Sequence, residues 1–287
     1  TFVTRLPDPV LQQLEHFGNP TLGVNDAFKA VSRFWDRITH PAQILQSLPA
    51  ALATMLDPAD CGPAFIGLPQ DVQGWAYDYP AAFFEKRVHK IRRQPPDSLE
   101  VADAAMLLSS AKRPLIIAGG GVQYSGAAVE LSGFADDHRI PVVETIAGRA
   151  NFLSDHPLNI GPLGVTGSDS ANAAAAEADV ILAVGTRLQD FTTGSWTAFA
   201  PDAKLIALNV GRHDAAKHFA QPLVGDAWLG LLALGKELDD WRGPEDWLKT
   251  VQAGRAAWND YVAENVRHGN RPNSYAQAIG VINGLCG

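Results

Sequence analysis

The 287-residue chain is 46% hydrophobic and 19% charged, with a net charge of -8 at pH 7. That excludes a disordered polymer and, with no long basic run to offset it, a nucleic-acid-binding surface. The two cysteines, Cys61 and Cys286, lie far apart without a C-x-x-C pair, which excludes a disulfide framework or zinc pair and points to a reducing, cytoplasmic setting. No apolar stretch approaches the roughly 18 residues that cross a bilayer. Neither nucleic acid nor membrane is therefore expected as a partner; a small-molecule substrate is.

The opening "TFVTRLPDP" has no initiator Met and no signal-peptide pattern, and the end breaks off just after an apolar helical pattern begins. Both ends read as cuts inside a longer protein. Residues 1–91 mix loops and helices. "HPAQILQSLPAALATMLD" (40–57) places Ile44, Leu48, Leu52 and Met55 on one helical face, the expected buried side. "GPAFIGLPQDV" (62–72) follows as a compact apolar strand, and "RRQPPDS" (92–98) reads as a linker.

Strands and helices alternate over 92–235. Asp97 and Glu100 have capping-box spacing, with Val101, Ala105 and Leu108 as a helical stripe. The strand candidates are 115–118, 141–144, 180–184 and 205–210, each short and continuously apolar, as suits strands buried on both faces. The Ala-rich stretch 170–178 reads as a helix capped by Ser168 or Asp169. Alternation of this kind predicts an α/β doubly wound parallel sheet, accompanied by a partial second α/β domain at residues 1–91. Over 236–287, a helix at 243–266 carries Pro244 in its first turn and should bury Trp247, Val251, Trp258, Tyr261 and Val262. A further helix, capped by Asn273 or Ser274, then begins.

The chemistry is sparse. Gly119, Gly120 and Gly121 follow a strand, as in a dinucleotide-binding loop, but Tyr124 stands where the third glycine of G-x-G-x-x-G belongs. The loop is read either as backbone amides holding a phosphate or as a tight turn that only glycine permits. Glu144 is the nearest carboxylate for a ribose. Arg187 and Asp190, just past a strand's carboxyl end, are candidate ligand contacts. His213 and His218 lack metal spacing, Ser168 and Ser170 read as helix caps rather than nucleophiles, and Asp136, Asp137 and His138 read as a solvated helix end. No catalytic or metal-binding constellation assembles.

Sequence blocks carry a resemblance across nearly the whole chain. "GPAFIGLPQDV" resembles the strand closing the pyrimidine-binding domain of thiamine-diphosphate enzymes such as acetohydroxyacid synthase. "RPLIIAGGGV", "IPVVETIAGRANFLSDHPLNIGPLGVTG", "ADVILAVGTRLQDFTTG", "FAPDAKLIALNV" and "LVGDA" follow in the order of that family's central domain. The flanks, above all Asp78 to His89, are similar to a branch that hydrolyses a C–C bond of a cyclic polyhydroxy 1,2-dione to a deoxyuronic acid in inositol catabolism.

The resemblance implies three parts: the end of the pyrimidine-binding domain (1–91), the central domain (92–235), and a linker helix with the start of the diphosphate-binding domain (236–287). It implies thiamine diphosphate and Mg²⁺ in an intact homodimer or homotetramer. The family's activating glutamate and its G-D-G…Asn motif are expected outside this stretch, leaving the chain inactive alone. In the central cleft it marks Gly120, Gly121, Arg187 and Asp226 as the positions that would face a cofactor. FAD is not expected: the synthases' "GxRFDDR" keeps Arg187 and Asp190 here but has Phe191 in place of its second arginine. Gly225-Asp226-Ala227 reads as the turn after the last strand. An acetolactate synthase-like enzyme and a non-catalytic nucleotide-binding module are the alternatives.

Overall fold

The structure, a computed structural model, describes residues 23–267 and 272–285. The chain divides into two compact units, one ending at Arg92 and one beginning at Arg93. Cys286 and residues 1–22, which include much of the first flank quoted above, lie outside the described residues.

In the first unit, β1 (Phe34–Arg37) and β2 (Ala64–Gly67) run parallel, joined by helix α1 (Ile44–Met55). Both strands are largely half-buried. The helix forms where the apolar periodicity places it, but its buried residues are Ser47 and Ala51, while Leu48 and Met55 stay exposed. The reason is a polar contact: the Ser47 hydroxyl and the Gln43 amide both donate to the Asp36 carboxylate on β1. That turns the small, polar side of α1 toward the strands.

The second unit is a six-stranded parallel sheet, β3 (Pro114–Ala118), β4 (Val142–Glu144), β5 (Asn159–Pro162), β6 (Val180–Val184), β7 (Lys204–Asn209) and β8 (Gln221–Val224). The strand order is β5-β4-β3-β6-β7-β8. Helices alternate with the strands: α2 (Ser98–Ser109), α3 (Gly120–Ser125), α4 (Ala128–His138), α5 (Asp169–Glu177), α6 (Asp190–Thr193), α7 (Arg212–Ala216), α8 (Ala227–Leu238), α9 (Glu245–Asn265) and α10 (Tyr275–Leu285). This is the α/β architecture that the alternation predicts. Every residue of β3 and β6 is buried, because helices cover both faces. One core layer joins Ile116, Leu182 and Leu208 to Leu108, Leu131 and Leu234. The other joins Ile117, Ile181 and Ile160 to the alanines of α5 and to Trp247 of α9, whose indole N–H also donates to the Pro114 carbonyl.

Four local expectations need correction. Glu100 does not complete a capping box: Asp97 caps α2 through Leu99 N–H, but Glu100 accepts from Val224 N–H across the unit. His138 is not solvated; it is buried, with Nδ1 2.7 Å from the Trp241 carbonyl oxygen. Only Trp247 and Val251 of α9 are buried, and Tyr261 and Val262 remain exposed. Strands β5 and β8 add to the four that the apolar runs announce. Ser168 caps α5 through Ala171 N–H, and Ser274 with Gln277 forms a reciprocal cap on α10.

Candidate functional site

The strand order reverses between β3 and β6, so their following loops leave in opposite directions and frame the crevice where open α/β sheets bind ligands. The glycine run enters this crevice from β3, and Gly185 to Arg187 enter from β6.

The two loops close on each other. Gly119 N–H donates to the Val184 carbonyl (2.9 Å) and Gly121 N–H to the Gly185 carbonyl (2.8 Å). A Cβ on Gly121 would lie 2.7 Å from the Gly185 Cα, and Gly185 itself holds φ +59, a conformation side chains disfavour. The loop after β4 covers the other side: Gly120 sits beneath the Ala147 carbonyl, and the Asn151 amide donates to the Gly119 carbonyl. These glycines therefore permit backbone-to-backbone packing. The amides of Gly119 and Gly121 are spent on protein carbonyls, and α3, at six residues, is too short to present a helix-terminal anion site.

The four marked positions fall into two groups. Gly120, Gly121 and Arg187 meet at the crevice. Arg187 is exposed and its side chain has no hydrogen bond or ion pair among the described residues, so it is free to meet a ligand. Its neighbour Leu188 is buried with φ +46 and points the chain back into the core. Asp190 accepts from the Ser195 hydroxyl at 2.7 Å.

Asp226 lies apart, past β8. Its carboxylate caps α8 through Leu229 N–H and takes Arg93 Nη1 at 3.0 Å. Arg93 also bonds to the Ser125 carbonyl and hydroxyl and lies 4.9 Å over the Trp228 ring. Gly225 packs against Pro96, and Asp226 N–H donates to the Gln94 carbonyl. The "GDA" segment is thus a clasp that holds the linker to the start of α8.

Glu144 is not a ribose ligand. It is 2% exposed, and its carboxylate accepts from Phe152 N–H (3.1 Å) and faces the Asn159 amide (3.4 Å). Burial pushes its pKa above the usual carboxylate value, against the pull of Phe152 N–H and of the Arg149 charge. Sequence reasoning also passed over Arg255 on α9, which sits over Gly161 beside Ser168. Nothing in a helical pattern distinguishes such an arginine from a solvated one.

The described residues do not fit thiamine diphosphate. The one Gly-Asp pair resembling its diphosphate motif is occupied by Arg93, and no group of three or more His, Cys, Asp or Glu residues among those described would hold a metal ion. Nor is any described helix long and apolar enough to cross a membrane.

Residues 101–243, which contain the sheet and its crevice, match the family described as "Thiamine pyrophosphate enzyme, central domain". This stretch, just under half of the chain, carries that family's central domain. Curated relatives are more specific. A 3D-(3,5/4)-trihydroxycyclohexane-1,2-dione hydrolase of Geobacillus thermodenitrificans is 45% identical over 90% of this chain and 40% of its own length. Relatives of the same name from Bacillus anthracis and Bacillus licheniformis are 40% and 50% identical over 97% and 79% of this chain, and 46% and 36% of theirs. The chain therefore spans less than half the length of each of these relatives.

Proposed function

We propose that this chain is part of a thiamine-diphosphate-dependent hydrolase that opens trihydroxycyclohexane-1,2-dione to 5-deoxyglucuronate. The observation that carries the reading is that the likeness to hydrolases of that name extends over nearly the whole chain, including the first unit and the linker. On this reading residues 1–91 are the end of the pyrimidine-binding domain, 92–235 the central domain, and 236–287 the approach to the diphosphate-binding domain. The cofactor, with Mg²⁺, would be held by other parts of a cytoplasmic homodimer or homotetramer and would act as electron sink for the cleaved C–C bond. The central domain would act as a scaffold, its crevice narrowed by the Gly121–Gly185 contact, with Arg187 exposed beside it.

The test is turnover of the dione by the intact polypeptide, with and without thiamine diphosphate and Mg²⁺. Cofactor-dependent loss of the dione, and none with the 287-residue chain alone, is the expected result. Acetolactate formation from pyruvate with no action on the dione would replace the reading with a synthase. Saturable nucleotide binding abolished by substitution of Gly120 or Arg187 would replace it with a nucleotide-binding module.

A further inference from the structure

We infer that the groove between α4 and α8 binds a small protonated amine carried on an apolar arm, with Nε2 of His138 accepting a hydrogen bond from its N–H. The groove measures about 530 Å³, room for one compact molecule, and none of the crevice loops lines it.

His138 ends α4 with only 3% of its surface exposed, its ring 4.7 Å from that of Phe134. Nδ1 lies 2.7 Å from the Trp241 carbonyl oxygen. A carbonyl can only accept, so Nδ1 carries a proton, and the neutral ring is left with Nε2 as an acceptor. Nε2 has no hydrogen-bond partner among the described residues, although buried polar atoms ordinarily have one. It points at Gly235 of α8: a Cβ there would stand 3.6 Å from it. Gly235 lacks that atom, so the space before Nε2 belongs to the groove, which both residues line.

Glycine is a poor helix former, yet Gly133 of α4 and Gly235 of α8 both line the groove. Packing requires neither. A Cβ on Gly133 would meet nothing within 4 Å, and one on Gly235 would touch Phe134 and His138 only at ordinary contact distance. Their effect is to keep the groove open beside Phe134 and Nε2.

The rim sets the sign of the occupant. Glu130, Asp137, Asp239 and Asp240 line the groove against Lys236 and Arg242, four carboxylates to two cations. None of the six makes an ion pair among the described residues. An anion would meet both the excess of carboxylates and the Nε2 lone pair. A cation bearing an N–H satisfies both, while the Phe134 and Leu231 side chains offer an apolar wall for its arm.

The experiment titrates the 287-residue chain with benzylamine, following the His138 ring-proton resonances. Mildly alkaline pH is used, where histidine is ordinarily neutral and the amine still a cation. Three analogues separate the contributions: benzyltrimethylammonium has the charge without an N–H, benzyl alcohol a donor without the charge, and benzoate the opposite charge. Benzylamine should shift the resonances saturably. Benzyltrimethylammonium and benzyl alcohol should each bind at least about tenfold more weakly, and benzoate not at all. Gly235→Ala places a methyl before Nε2 in a helix that accepts alanine readily. It should weaken benzylamine by about tenfold while the urea midpoint holds or rises. The site is overturned by the lack of a saturable shift with benzylamine, by equal affinity for either weaker analogue, or by parental affinity in Gly235→Ala.

Discussion

The two units solve the problem of burying a parallel sheet differently. In the second, both core layers close entirely on residues 101–251, and β3 and β6 are buried along their whole length. Among the described residues of the first, the buried apolar side chains are Ile38, Pro41, Ala51, Pro69 and Val72, the two strands are largely half-buried, and polar contacts to Asp36 orient the helix between them. Where apolar burial is complete it fixes which face of a helix turns inward. Where it is not, one carboxylate decides.

The sharpest way to break this contrast is a matched truncation. Ile206→Ala, at a fully buried position of β7, should cost about 4 kcal/mol, whereas Ile66→Ala, half-buried on β2, should cost about 1 kcal/mol. Urea-denaturation midpoints measure both, and equal losses would mean that the first unit has a core of comparable worth. Next is Arg93→Ala, which removes the partner of a carboxylate that is 10% exposed. A loss of about 2 kcal/mol is expected, because Asp226 keeps its desolvation cost without its cation. A loss indistinguishable from that of an ordinary surface substitution would show the clasp to be incidental.

Gly121→Ala should then destabilise the ligand-free protein by about 1–2 kcal/mol, through contact with the Gly185 backbone. A loop whose glycines served only an absent phosphate would lose binding and no stability. The smallest effect is at Glu144. Its folded-state pKa is raised, so its carboxylate destabilises the fold where it is ionised, and this cost disappears as pH falls toward the unfolded value of 4.5. Glu144→Gln should therefore be more stable than the parent at pH 7, with the advantage shrinking as pH drops to 4.5. A pH-independent difference would refute the assignment.

Strands β3, β6 and β7 were legible because their burial on both faces leaves a continuous apolar run. Strands β5 and β8 were not, because Gly161, Pro162 and Pro222 interrupt them, and such residues are tolerated at sheet edges and their neighbours. The inward face of α1 was misread because Ser47 turns in on account of Asp36, a partner whose position only the fold supplies. At α9, Trp247 and Val251 meet the sheet while Tyr261 and Val262 lie on later turns that remain exposed; periodicity does not say where along a helix the contact ends. The sequence put Arg187 and Asp190 past a strand's carboxyl end, but the crevice is defined by a strand order only the fold supplies, and whether its glycines pack on a ligand or on the backbone depends on Gly185, far along the chain. Glu144 could be seen as a carboxylate, but not as one whose acceptor role is taken by Phe152 N–H.

The sheet also has a history written into its strand order. Strands β3 to β5 form one sequence-local half and β6 to β8 the other, and the two meet along the single seam where Pro114 faces Val180 and Ala118 faces Val184. A chain emerging from the ribosome can build the first half early, but it must wait for β6 before that half's innermost edge is covered. The hydrogen bonds from Gly119 to Val184 and from Gly121 to Gly185 carry that seam past the ends of both strands, so the joint between the halves is also the floor of the crevice.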